Sequence, residues 1–119
     1  MNEKQMVMPE HEIQKQIMRE LSRNKCTVFR ANVGKIFTQD GRMFDTGLPV
    51  GFPDLVGYRW SDNKIFFVEV KTKTGRLSPK QIIFHQHLME TNTIHGVARS
   101  TADALKIVEG GLVGYGYPV

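Results

Sequence analysis

The run Ile65-Phe66-Phe67-Val68 is apolar enough for a buried strand, yet it leads straight into Glu69-Val70-Lys71 rather than into a turn. Side chains alternate across a strand with period two. Glu69 and Lys71 therefore project from one face, Val68 and Val70 from the other. A second apolar run, Leu55-Val56-Gly57-Tyr58, opens directly after Pro53-Asp54, and Ser61-Asp62-Asn63-Lys64 lies between the two runs. Read as strand, hairpin turn, strand, the segment sets a carboxylate of one strand beside a carboxylate and an ammonium at the end of the next. Such a set can hold a divalent cation and a water beside a phosphodiester.

The rest of the chain supplies the elements around this pair. Pro9 suits the first turn of a helix, and Glu10 and Glu12 sit where the helix dipole favours negative charge. Ile13, Ile17 and Leu21 form an apolar stripe, and the helix is expected to end near Asn24, after a frayed start over Met1 to Val7. Thr27 to Asn32 reads as a strand and Val33 to Val50 as loop or irregular hairpin, with a turn signal at Gln39-Asp40-Gly41-Arg42. Strands follow over Leu55 to Trp60 and Ile65 to Lys71, then a basic, flexible link carrying Lys73, Gly75 and Arg76. Ser78, Pro79 and Gln81 form a capping-box start for a helix running to about Thr91. Gly96 to Arg99 is a strand, Ser100 or Thr101 caps a helix over Ala102 to Glu109, and Leu112 to Tyr117 adds an edge strand. A strand–helix–strand step through Gln81 requires a right-handed crossover with parallel pairing. The expected fold is α/β, a sandwich with a small mixed β-sheet flanked by helices, in a single domain over residues 1–119.

Sixteen Lys and Arg against twelve Asp and Glu give a net charge of +4. With several acids committed to a metal site, the remaining surface is more basic than that figure, which suits a polyanionic partner. The single cysteine, Cys26, excludes an internal disulfide and favours a reducing, intracellular setting. No run approaches the ~20 apolar residues of a membrane span, so no membrane association is expected. The four histidines have no zinc spacing; His85 reads as a packed helix residue and His95 as isolated.

In ordered sequence, Glu12-Ile13-Gln14, Arg30-Ala31-Asn32-Val33-Gly34, Gly51-Phe52-Pro53-Asp54, Glu69-Val70-Lys71 and Leu77-Ser78-Pro79-Lys80-Gln81 resemble the VRR-NUC branch of the PD-(D/E)xK nucleases. The resemblance runs from about Glu12 to Arg99. It implies a restriction-endonuclease-like fold and a Mg²⁺ or Mn²⁺ cofactor held by Asp54, Glu69 and the backbone carbonyl of Val70. Lys71 would be the partner of the attacking water. An acidic residue on the first helix would face the site. Glu12, beside the buried stripe, is the match, with Glu10 as its rival. Gln81 would hydrogen-bond a phosphate or a metal-bound water, in competition with its capping contact. Arg30 and Asn32, on one strand face, would contact the phosphate backbone, with Lys35, Lys73 and Arg76 as further contacts.

A lone domain of this kind is similar to the stand-alone, largely phage and bacterial members. That likeness implies a cytoplasmic endonuclease, in a bacterium or phage-infected host, acting on branched DNA with the four-way junction as leading substrate. Two opposed cuts need two sites related by a two-fold axis, hence a homodimer, with Ile36-Phe37 and Met43-Phe44 either in its interface or packed on their own core. The alternatives are a monomeric nicking or flap-directed nuclease, a DNA-binding module without chemistry, and a structural domain whose charges are surface ion pairs.

Overall fold

The computed structural model describes residues 8–118, so the frayed start expected over Met1 to Val7 lies outside the described residues. Helix α1 (Glu10–Arg23) buries Ile13, Ile17 and Leu21, the apolar stripe of the sequence. Strands β1 (Cys26–Arg30), β4 (Leu55–Arg59), β5 (Ile65–Val70), β6 (Ile94–Ala98) and β7 (Val113–Tyr115) form one sheet in the order β1-β4-β5-β6-β7. The short strands β2 (Lys35–Phe37) and β3 (Met43–Asp45) pair separately as an antiparallel hairpin, within the segment expected to be loop or irregular hairpin.

Pairing is antiparallel from β1 to β4 and from β4 to β5, then parallel from β5 to β6 and β6 to β7. Helix α2 (Pro79–Glu90) makes the β5-to-β6 crossover, and α3 (Thr101–Gly110) follows β6. The sheet is therefore mixed and flanked by helices, the architecture expected. Its main core holds Leu55, Phe66, Val68, Val70 and Ile94 against Ile17 and Leu21 of α1 and Ile107 and Val108 of α3. The α2 side carries a smaller aromatic cluster, with Phe52 edge-on to Phe67 and to Phe84 at centroid distances of 5.6 and 5.1 Å.

Two strand boundaries and one link differ from expectation. Strand β1 ends at Arg30, because Ala31 N–H closes the ladder by donating to the Asp54 carbonyl at 2.8 Å. Asn32 thus lies beyond the strand and does not share a strand face with Arg30. Strand β6 starts two residues early, at Ile94; of the two caps expected for α3, Ser100 serves, its hydroxyl accepting from Asp103 N–H at 3.1 Å. The β5–α2 link is tethered rather than flexible: Arg99 Nη1 donates to the carbonyls of Thr72 at 2.5 Å and Gly75 at 2.8 Å. No helix among the described residues is long and apolar enough to cross a membrane.

Candidate active site

Asp54 enters from the turn before β4, and Glu69 from the last turnless stretch of β5. Their backbones are neighbours because Leu55 pairs with Val68. Gly51 lets the turn that carries Asp54 lie against α2: its φ is +100°, and a Cβ there would lie 2.6 Å from the Lys80 carbonyl at the start of α2. Asp54 is then pinned by its own side chain, whose Oδ2 accepts from Val70 N–H at 2.8 Å. That leaves the other oxygen, Oδ1, for a ligand.

Glu69 is 1% exposed, an unusual burial for a carboxylate. Its Oε1 accepts from Gln81 Nε2 at 3.1 Å, while Oε2 is buried with no hydrogen-bond partner. Burial, then the adjoining Asp54 carboxylate, pushes the Glu69 carboxyl up to about 10; the Lys71 ammonium works the other way without matching them. Two acceptor groups face each other with no donor between them. Either a proton or a cation has to join them, and a hard divalent cation takes oxygen ligands of this kind. Among the described residues no three His, Cys, Asp or Glu side chains converge into a cage. Two carboxylates, a backbone carbonyl and solvent suffice for such an ion. The residues present fit Mg²⁺ or Mn²⁺.

Gln81 resolves a conflict left by the sequence. Its Oε1 accepts from Ser78 N–H at 2.8 Å, while Ser78 Oγ accepts from Gln81 N–H at 3.2 Å, a complete capping box. The same amide's Nε2 reaches Glu69. The start of α2 and the orientation of Glu69 are thus fixed by one side chain, whose amide N–H₂ keeps a second hydrogen beyond the one given to Glu69.

Of the two acids weighed on the first helix, it is the rival Glu10 rather than Glu12 that lies near the carboxylate pair. Glu12 is exposed and lies 3.9 Å from Lys15. Glu10 is half-buried, and its carboxyl is raised by burial and then by the Asp54 charge, with Lys71 opposing. The helix turns Glu10 toward the carboxylate pair and Glu12 away, since two residues on a helix are about 200° apart. Lys71 follows β5 directly and remains half-buried, its N–H on the Ala98 carbonyl at 3.1 Å. Arg30, Asn32, Lys35, Lys73 and Arg76 are all exposed. Arg30 pairs with Leu55, next to Asp54, and Lys73 and Arg76 lie on the tethered link that follows Lys71.

Sequence reasoning missed a histidine pair. His95 is fully buried, and its Nε2 lies 2.8 Å from Nδ1 of His85 on α2. The two positions are only ten residues apart, but nothing in their spacing showed that the crossover would stack α2 on β6.

These shifts give a pH dependence. In the metal-free protein Glu69 rises from 4.5 to about 10 on folding, so the folded state binds the extra proton. Its stabilising effect is complete below about pH 4.5 and is lost as pH rises toward 10. His85 and His95 are depressed, chiefly by burial, so they act oppositely and only below about 6.5. Between pH 7 and 9 in EDTA, stability is expected to fall by at most about 1.4 kcal/mol per pH unit, and the melting temperature with it. Glu69→Gln should flatten that slope, and Mg²⁺ should reverse it by replacing the proton. Calorimetric melts at both pH values, with and without metal, measure this; identical slopes for wild type and Glu69→Gln would refute it.

A mixed sheet, a crossover helix opening on a glutamine, and a carboxylate pair followed by a lysine define the restriction-endonuclease-like class of nucleases. A family profile described as the VRR-NUC domain matches residues 8–102. The chain belongs to the VRR-NUC domain family. A solved structure titled "VRR_NUC domain" shares the fold with a TM-score of 0.61 and 23% identity, covering 84% of this chain and 94% of that one. No curated protein matches the chain. Membership implies a nuclease-type function with DNA as substrate, in a family whose nucleases are typically metal-dependent.

Proposed function

We propose that the chain is a single-domain, Mg²⁺- or Mn²⁺-dependent endodeoxyribonuclease that cuts branched DNA, with the four-way junction as its leading substrate. The observation that carries the metal-dependent reading is the buried, partnerless Oε2 of Glu69 facing Asp54. A structural ion pair would have satisfied that atom with a cation from the protein, and a binding module would have no use for it.

In this reading Asp54, Glu69 and the Val70 carbonyl hold the ion. The bound cation would supply Lewis-acid stabilisation of the phosphate and a more acidic water. Val70 N–H and Gln81 keep the two carboxylates turned inward. The Lys71 ammonium orients the attacking water and offsets charge developing on phosphate. Glu10, not Glu12, adds the acid of the first helix, acting through water. Arg30, Lys73 and Arg76 grip the backbone at the rim, with Asn32 and Lys35 further out. Such contacts give affinity without sequence readout.

A homodimer provides the two cuts a junction requires. Phe37, Met43 and Phe44 on the β2–β3 hairpin are 73%, 48% and 51% exposed. Apolar side chains so placed favour an intermolecular surface over packing on their own core. The test is cleavage of labelled four-way junction, flap and linear duplex DNA in Mg²⁺ or Mn²⁺. Paired, symmetric cuts in the junction are expected, with a sedimenting dimer. Equal cutting of linear duplex would remove the branched-DNA preference, and no metal-dependent cleavage of any substrate would remove the nuclease reading.

A further inference from the structure

The C-terminal segment beyond β7 folds back into the molecule rather than leaving it. Gly116 has φ +79°, and a Cβ there would lie 2.9 Å from the Val97 carbonyl, a backbone atom that cannot give way. Val97 is the register partner of Glu69. The close approach delivers Tyr117, which is buried, to the β6 side of Glu69, opposite the β4 side from which Asp54 comes.

The ring of Tyr117 is locked there. It stacks on His85 with a centroid distance of 3.9 Å and an interplanar angle of 4°. His85 is itself fixed. The Thr93 carbonyl can only accept, so the 2.7 Å contact places a proton on His95 Nδ1. His95 Nε2 then accepts from His85 Nδ1–H at 2.8 Å. His85 follows Gln81 by one turn on α2, so both face the sheet and Tyr117 stands one turn away from the amide that already holds Glu69. Burial and then the charges of Glu69 and Asp54 push the Tyr117 hydroxyl above its ordinary range, leaving it a neutral donor at any working pH. The family match ends at residue 102, short of this segment.

We propose that Tyr117 is a positioning residue of the nuclease site, its hydroxyl donating through one water to the outer side of the Glu69 carboxylate and so turning Glu69 toward Asp54 and the cation. The inference rests on the metal-dependent reading of the site. Outer hydrogen bonds to a ligating carboxylate tune metal affinity, typically by 10–100-fold. The His85–His95 pair serves the same end by stiffening the ring against which Tyr117 stacks.

The experiment is calorimetric titration of Mn²⁺ into the full chain without DNA, for wild type, Tyr117→Phe and Tyr117→Ala, beside melting temperatures and junction-cleavage kinetics. Tyr117→Phe keeps the ring and its stacking. It is expected to weaken Mn²⁺ binding about tenfold and to lower kcat with KM for DNA and the metal-free melting temperature unchanged. Tyr117→Ala should weaken binding by a similar factor and also melt earlier. If Tyr117→Phe binds Mn²⁺ as wild type does, the inference is overturned, and a loss confined to Tyr117→Ala would make the residue structural. If wild type binds no Mn²⁺ at all, the metal-site reading itself fails and takes the inference with it.

Discussion

Glu69→Gln is expected to lower the rate of DNA cleavage by about 10³-fold or more while leaving the fold intact, and Lys71→Ala to lower it by a similar order. The two variants fail for different reasons. Gln has the size of the protonated acid, can still accept from Gln81, and removes the burial penalty of a charge that desolvation already pushes toward neutrality. Its metal-free melting temperature should equal or exceed that of wild type at pH 8. It supplies no anionic oxygen, however, so Mn²⁺ affinity should collapse with activity. Lys71 is not a metal ligand. Its ammonium lowers the carboxyls of both Glu69 and Glu10, so its loss removes a charge aimed at the reacting phosphate while metal binding persists or strengthens. Single-turnover cleavage together with Mn²⁺ titration separates the cases. Retained cleavage within about tenfold of wild type for both variants would show that the carboxylate pair and its lysine are structural.

Much of this site was legible because it depends on short-range rules. Period-two alternation put Glu69 and Lys71 on one face, and the Ser78-Pro79-Lys80-Gln81 string announced the start of α2. Tertiary geometry decided the rest. Glu10 and Glu12 look equivalent in sequence, since both suit a helix N-terminus. Which one turns toward Asp54 follows from how the Ile13, Ile17 and Leu21 stripe seats α1 on the sheet. Arg99 read as the end of a strand. Its guanidinium instead reaches back to the carbonyls of Thr72 and Gly75, a span of 27 and 24 residues that no local pattern encodes. That Asn32 does not share a strand face with Arg30 follows from a strand end fixed by one bond, from Ala31 N–H to the Asp54 carbonyl. The hairpin over β2 and β3 was visible as a turn signal, but the exposure of Phe37 and Phe44 was not, because an aromatic in a loop has no burial signature.

Gly57→Ala is expected to cost about 3 kcal/mol or more and to lower the melting temperature on the order of 10 °C. Gly57 sits in the middle of β4, between Val28 of β1 and Phe66 of β5. A single methyl there would lie 2.1 Å from the Thr27 carbonyl oxygen, 2.8 Å from Phe66 Cζ and 3.0 Å from Val28 Cα. Two of these are backbone atoms of a paired strand, and Phe66 is fully buried in the core, so none can withdraw without opening the β1–β4 ladder. The loss would reach the site by a short path. Asp54 lies three residues upstream of Gly57, and its carbonyl receives the Ala31 N–H at the end of that ladder. Prying β1 from β4 therefore loosens the turn that aims the Asp54 carboxylate at Glu69. Metal affinity should fall along with stability even at temperatures where the variant remains folded. Chemical denaturation with a Mn²⁺ titration at low temperature tests both parts. A melting temperature within about 2 °C of wild type would mean that the strand accommodates the methyl and that the sheet is looser at its centre than these contacts require.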